Sequence, residues 1–339
     1  MKDFKTLFDE LGVGFIEKFG YYANPLILKF KKENNRLLVF YFHGLFENES
    51  QKNLSHIDPQ NNMTVSQFID FIKYFSAHKY KFILPEDLNK KLDEDVPYAM
   101  ITFDDGYFNN KLAIDILNRY NVPGVFFIST KNILENKSYW WDVIYKYRIR
   151  EGRSIENIRC EQKSLKIFKY DHIKNYIIKN FGINAFNPWS DIDRPFNEKE
   201  VKLLAQTPNI CFANHTHRHS ILTNCDKKEI KEELQLSNAI LQDLTGKKPL
   251  SIAFPNGNFN PLILELAEEE GFQYAFTTEP TRLLLSNRSE GMLCLGRLMT
   301  NTSKIEKFGS FCRLGYESEV TYRNIKMQLR SIIKGKKNN

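Results

Sequence analysis

Tyr98 to Gly106 reads Tyr-Ala-Met-Ile-Thr-Phe-Asp-Asp-Gly. Six strand-forming residues run without polar alternation, then stop at two carboxylates and a glycine. A strand that is apolar on both faces is the mark of a parallel sheet covered by helices. The same grammar recurs along the chain. Leu37 to Phe42 (LLVFYF) ends at His43, and Val122 to Ser129 (VPGVFFIS), Asn209 to Ala213 and Leu250 to Phe254 follow. Tyr274 to Thr277 closes the series. A further short strand is read at Lys81 to Leu84. Between the strands lie helical patterns: Phe68, Phe71, Ile72 and Phe75, then Leu112 to Tyr120, Glu229 to Leu244 and Pro261 to Glu270. Strand and helix in alternation predict βαβ units and an α/β fold whose parallel sheet curls into a barrel.

The rhythm breaks over residues 131–208, a long aromatic and charged stretch with Trp140, Trp141, Asp142, Tyr145, Tyr147 and Trp189. It reads as a mostly helical insertion on one loop of a barrel spanning 37–300. Residues 1–36 read as an N-terminal helical extension, with Phe4, Leu7, Phe8, Leu11, Phe15 and Phe19 on one face. Residues 301–339 read as a basic C-terminal helical tail.

Composition narrows the class. With 339 residues and a 42% hydrophobic share, the chain is too apolar for a disordered protein and long enough for a large core. No apolar run approaches the ~20 residues of a membrane-spanning helix. The start, MKDFKTLFDELGVGF, places acids where a signal peptide has a basic start and an unbroken apolar run. The five cysteines, Cys160, Cys211, Cys225, Cys294 and Cys312, form no disulfide framework, and a reducing cytoplasm is expected. Net charge is +7, from 48 basic and 41 acidic residues. No acid follows Glu319, whereas Arg323, Lys326, Arg330, Lys334, Lys336 and Lys337 do. With Ile325, Leu329, Ile332 and Ile333 along one stripe, the tail reads either as a helix docked on the body or as a peripheral contact with an anionic membrane surface. The near-neutral remainder argues against nucleic acid as a partner.

Four clusters carry chemistry. Asp104 and Asp105 are adjacent carboxylates that repel unless a cation or a proton-transfer role makes the pair worthwhile; the alternative is a helix N-cap followed by a first-turn acid. Asn214-His215-Thr216-His217-Arg218-His219 holds three of the seven histidines directly after a strand. One Asp and two His make an open metal site of catalytic style, and spacing alone leaves open which two imidazoles bind. Ala253-Phe254-Pro255-Asn256-Gly257 forms a turn whose N–H groups can face a mouth. His43 ends the first strand. All four fall just past predicted strand ends, and in a parallel barrel those ends share one face.

On these residues the chain resembles the polysaccharide deacetylase family, carbohydrate esterases of the family 4 type with a chitooligosaccharide-deacetylase homology domain. Thr102-Phe103-Asp104-Asp105-Gly106 corresponds to the first motif, His215-Thr216-His217-Arg218-His219 to the His-[Ser/Thr]-x-x-His second motif, and Phe254-Pro255-Asn256-Gly257 to a variant third motif. The resemblance implies a distorted (β/α) barrel of the seven-stranded type. It also implies a divalent metal, most often Zn2+, on Asp105, His215 and His219, with Asp104 as general base. Thr216 would then support the loop and His217 would form wall. Two departures stand out. Ala253 replaces the arginine that opens the third motif, and Leu293 to Leu298 lacks the late histidine that supplies the general acid. His43 is the expected replacement acid.

The expected reaction is removal of an N-acetyl group from an amino sugar. The water proton goes to Asp104, and the Asn256 N–H helps hold the oxyanion. Pro255, Asn256, Gly257, Arg297 and Trp141 are the expected substrate contacts, with Trp141 as a stacking platform. A cytoplasmic lipid- or nucleotide-linked intermediate of surface-polysaccharide synthesis is the expected substrate. The alternatives are a metal-dependent hydrolase of a non-sugar amide or ester, and a non-catalytic glycan-binding barrel.

Overall fold

The computed structural model describes residues 33–59, 63–281, 283–285, 291–300 and 304–314. The expected N-terminal helix and the basic stripe at 325–333 lie outside them.

Seven strands pair side by side, every pair parallel: β1 (Arg36–Phe42), β2 (Tyr98–Phe103), β3 (Gly124–Ile128), β4 (Ile210–Asn214), β5 (Ser251–Ala253), β6 (Tyr274–Phe276) and β7 (Leu293–Leu295). A two-residue strand, β8 (Leu298–Met299), runs parallel to β1 on its outer edge, with Phe40 opposite Leu298. Only Gly296 and Arg297 separate β7 from β8, so the sheet comes close to joining its own first strand. The fold is therefore a nearly closed, distorted (β/α) barrel. The series does not end at Tyr274 to Thr277, as the pattern predicts. β7 and β8 are three and two residues long, too short to leave a periodicity signal. Short strands at Leu283–Leu284 and Lys81–Phe82 extend the sheet beside β1 and β2. The second ends two residues earlier than predicted, because Pro85 opens a 3₁₀ turn.

Every residue of β1 and β2 is buried, which is why neither shows alternation. Leu38, Phe40 and Phe42 point outward onto Phe68, Phe71 and Phe75 of the helix Val65–Ala77. Phe40 meets Phe71 edge-on at 4.9 Å and Phe42 stacks on Phe103 at 5.0 Å. Burial of each such ring stabilises by about 1.5–3 kcal/mol. Thr64 starts that helix with a reciprocal capping box to Gln67. The alternate residues Leu37, Val39, Met100, Val125, Phe127, Ala213, Ala253 and Phe276 fill the barrel interior.

The stretch after β3 forms helices at Thr130–Glu135, Trp140–Arg150, Ile155–Leu165, Tyr170–Phe181 and Glu198–Leu204. Trp140, Val143, Ile144, Ile158, Leu165, Ile173 and Ile177 pack together as a separate apolar cluster. The buried Lys146–Asp193 ion pair, at 3.1 Å, ties its halves. Two backbone bonds, Phe108 N–H to Arg194 O and Phe196 N–H to Gly106 O, both at 2.9 Å, fix it beside the loop after β2. Among the described residues no helix is long and apolar enough to cross a membrane.

Candidate active site

β2 delivers Asp104 and Asp105 to the carboxyl end of the barrel. The Asp104 N–H still donates to Phe42 O at 2.9 Å, so the ladder persists to the first carboxylate. Asp105 then turns into the left-handed region, at φ 74°, which a side chain adopts only under local constraint. Gly106 follows at φ 85°, where an added Cβ would lie 2.5 Å from Ile128 Cγ2; only glycine fits. β4 delivers the histidines. Thr216 and His219 also have positive φ, at 64° and 54°. That bend is braced by Asn214 Oδ1 accepting from the Thr216 N–H at 2.7 Å and by Thr216 Oγ1 accepting from the Ser220 N–H at 3.1 Å. Asn214 is itself held by Ser237 and Asn238, at 2.6 and 2.9 Å.

The result brings Asp105, His215 and His219 together. One donor atom from each lies within 4.8 Å of the others, with Asp105 Oδ1 at 3.4 Å from His215 Nε2 and 3.2 Å from His219 Nε2. His215 Nδ1 is 2.7 Å from Ala253 O, so Nδ1–H donates there and Nε2 is free to ligate. Burial lowers the His219 pKa, favouring the neutral ring that binds metals. Burial alone would raise Asp105, but hydrogen bonds from His215 and His219 hold it well below the carboxylate range. An aspartate with two imidazoles fits a divalent transition metal, and these residues are arranged to hold one. His217 points elsewhere: it is buried, with Nδ1 on Thr130 Oγ1 at 2.9 Å.

Asp104 is buried and pinned from behind. Arg297 Nη1 and Nη2 donate to its two carboxylate oxygens at 2.6 and 2.7 Å, while Arg297 Nε donates to Thr277 O and Nη1 to Thr102 Oγ1. Burial would raise the Asp104 pKa; Arg297, then His215, bring it below the ordinary carboxylate value. The expectation that Arg297 contacts substrate is corrected here. Its side chain is 1% exposed, sits beneath the cavity floor and spends its donors on the protein. The tether leaves no signal in the sequence, because the arginine arrives from the link between two strands of three and two residues, too short to show a periodicity.

These groups floor a cavity of about 650 Å³. His43 lines it, at the end of β1, with Nδ1 buried and without a hydrogen-bond partner among the described residues. Asn256 lines it too, whereas Pro255 and Gly257 lie behind the lining and shape its turn. Gly257 has φ 72°, and a Cβ there would meet Thr278 Oγ1 at 2.0 Å. Trp141 lines the wall, its ring 4.5 Å from that of His219 and stacked on Tyr139 at 4.6 Å. Sequence reading named Asp142 but missed its neighbours, Tyr107 in the wall and Tyr139 buried behind it. The Tyr139 hydroxyl donates to Asp105 O. Tyr107 accepts from Trp141 Nε1 at 3.0 Å and donates to Asp142 at 2.7 Å. Burial, reinforced by Asp58, raises the Asp142 pKa well above the carboxylate range. Tyr107, two residues past Asp105 in the motif, was the available signal.

Fold and donor cluster together define the class: a (β/α)-barrel protein with a candidate metal centre at the carboxyl ends of its strands. The chain belongs to the polysaccharide deacetylase family, whose sequence profile matches residues 91–275. YxkH, a polysaccharide deacetylase homologue of Bacillus subtilis (strain 168), is 22% identical over 237 residues, covering 68% of this chain and 63% of the relative. The chain thus spans less than two thirds of that relative's length. Among solved structures, a polysaccharide deacetylase from Bacillus cereus superposes with TM-score 0.56 at 16% identity, over 82% of this chain and 69% of that one. The Streptococcus pyogenes deacetylase PplD, solved with acetate, gives 0.55 at 16% identity, over 81% and 97%. A de-N-acetylase from Aggregatibacter actinomycetemcomitans gives 0.55 at 16% identity, over 81% and 99%. These likenesses establish the barrel fold.

Proposed function

We propose that the protein is a metal-dependent deacetylase that hydrolyses the acetamide of an N-acetylated amino sugar. The observation that carries this reading is the Asp105–His215–His219 cluster beside an arginine-pinned Asp104 on the floor of one cavity. Asp105, His215 and His219 would hold the metal, with Zn2+ the ion best matched to the donors. When bound, it supplies Lewis acidity toward the acetamide carbonyl and makes water more acidic.

The chain's own groups do the rest. Arg297 keeps Asp104 ionised, and each carboxylate oxygen retains a lone pair beyond the one given to arginine. Asp104 takes the proton of the attacking water as the C–O bond forms. The Asn256 N–H is assigned to the oxyanion. His43 gives a proton to the leaving nitrogen as the C–N bond breaks, so acetate and free amine result. Trp141 offers the sugar ring an apolar face. The finer reading is a lipid- or nucleotide-linked intermediate of surface-polysaccharide synthesis, met in the cytoplasm, with the basic residues after Glu319 as a peripheral membrane contact.

The test is metal analysis of the purified protein together with acetate release from N-acetylated sugars. Asp104→Asn is expected to keep its metal and lose turnover by about 10²–10⁴-fold. A D104N variant with wild-type turnover, or full activity after the metal is chelated, refutes the assignment.

A further inference from the structure

The cavity holds more cation than its carboxylates use. Five aspartates line it, and each is already matched. Asp58 is ion-paired with Arg159, Asp104 with Arg297 and Asp193 with Lys146. Asp105 belongs to the two imidazoles, and Asp142 is engaged by the Tyr107 hydroxyl and buried. On the opposite side of the account stand Lys163 and Lys166, both lining the cavity from the end of the helix Ile155–Leu165 and the turn after it. Neither has a carboxylate within 4.0 Å among the described residues. Lys166 Nζ donates only to a neutral acceptor, Asn256 Oδ1, at 2.7 Å. Desolvation, then the nearby Arg159 guanidinium, lower its pKa, and the smaller pull of Asp105 does not offset them. The next lysine along, Lys169, shows the contrast, because it is paired with Glu229 at 2.7 Å.

Resting on the deacetylase reading, we propose that Lys163 and Lys166 form a subsite for an anionic phosphoryl group on the amino-sugar substrate. Two lysines on one turn offer six N–H donors as point charges, the way ammonium groups engage phosphate oxygens. Asn256 Oδ1 holds Lys166 in place until a stronger, charged acceptor replaces it. Because Asn256 also borders the reacting end of the cavity, the contact couples occupation of the subsite to the loop carrying the oxyanion donor. The phosphoryl group is common to a sugar phosphate, a nucleoside-diphosphate sugar and a lipid-diphosphate sugar.

The experiment uses the metal-loaded full chain. Acetate release is compared for chitotriose, N-acetylglucosamine 1-phosphate, uridine diphosphate N-acetylglucosamine and a polyprenyl-diphosphate N-acetylglucosamine in detergent. The wild type is expected to favour at least one phosphorylated substrate over chitotriose by on the order of tenfold in kcat/KM, less so at high salt. The substrate favoured identifies the source. K163Q/K166Q is expected to lower that ratio by about tenfold, and K163R/K166R to restore most of it, as charge rather than shape demands. A wild-type ratio near one, or a ratio that survives K163Q/K166Q, overturns the subsite. Calorimetric binding of the same four compounds to D104N separates the two claims. Lysine-dependent binding without acetate release by the wild type sinks the deacetylase reading and leaves the subsite. Turnover of chitotriose with no phosphoryl preference does the reverse.

Discussion

Removing the guanidinium beneath Asp104 isolates a buried charge, and the size of the effect follows from the contacts. Arg297 places four hydrogen bonds, to Asp104 Oδ1 and Oδ2, Thr102 Oγ1 and Thr277 O, while 1% exposed, and its Asp104 partner is 4% exposed. Breaking a buried pair from one side costs about 3–5 kcal/mol, chiefly the penalty of the orphaned ion. Arg297→Met is therefore expected to destabilise by that amount and to lower Tm by on the order of 10 °C. Arg297→Lys keeps a charge but cannot span both oxygens, so it should fall between the two. The decisive comparison adds Asp104→Asn. If the cost is the orphaned carboxylate, D104N in the R297M background recovers stability, with a coupling of about 1–3 kcal/mol in a double-mutant cycle measured by urea unfolding. The pH dependence has a definite sign. Asp104's folded-state pKa is depressed, so the pair's contribution is present above the unfolded value near ~4 and is lost as pH falls through the folded one. The gap between wild type and R297M should narrow accordingly below about pH 4. Additive effects of D104N and R297M, or a gap that widens in acid, would refute the reasoning.

Two further outcomes are expected. His43→Ala should retain metal, since no ligand is touched, but lower turnover about a hundredfold through loss of the proton donor; metal content and steady-state acetate release together check this. Glu233 is 3% exposed and burial raises its pKa, so its ionised form is disfavoured in the folded state. A raised carboxyl contributes stability below the unfolded value near ~4.3 and loses it as pH climbs through the folded value. E233Q should therefore gain in Tm relative to wild type between pH 4.5 and 7.5 by calorimetry, and a gap that is flat or shrinks with pH contradicts the assignment.

Much of the barrel was legible because parallel strands buried on both faces announce themselves as unbroken apolar runs. Tyr98–Phe103 is strand over the range its sequence predicts, and Leu37–Phe42 gains only Arg36. The gathering of His43, Asp104, Asp105, His215 and His219 at one mouth was also legible, because each follows such a run; Pro255, expected beside them, lies behind the lining and Asn256 takes its place. The wall supplied by residues 131–208 was not. Beyond Trp141, the residues it contributes, such as Arg159, Gln162 and Lys166, reach the cavity through helix packing, which leaves no mark at their own positions.

Arg297 shows the deeper limit. A buried carboxylate that must stay ionised needs a buried cation, and the family resemblance implied an arginine at the position of Ala253. Ala253 lies on β5, three strands from Asp104 on β2 in one direction round the sheet. Arg297 comes from the other direction, just before β8, which pairs with β1, the neighbour of β2. In a sheet that curls on itself, a carboxylate at the end of β2 can be met by a cation arriving across β1. The two residues are 193 positions apart and meet only because β8 sits against β1. No local pattern records that closure, since a two-residue strand carries no periodicity. The electrostatic demand, however, is present in the sequence, because two adjacent carboxylates at a buried strand end require cations near them. A missing partner for a charge that chemistry requires is thus a reason to search strand ends on the far side of the ring before reading the site as broken.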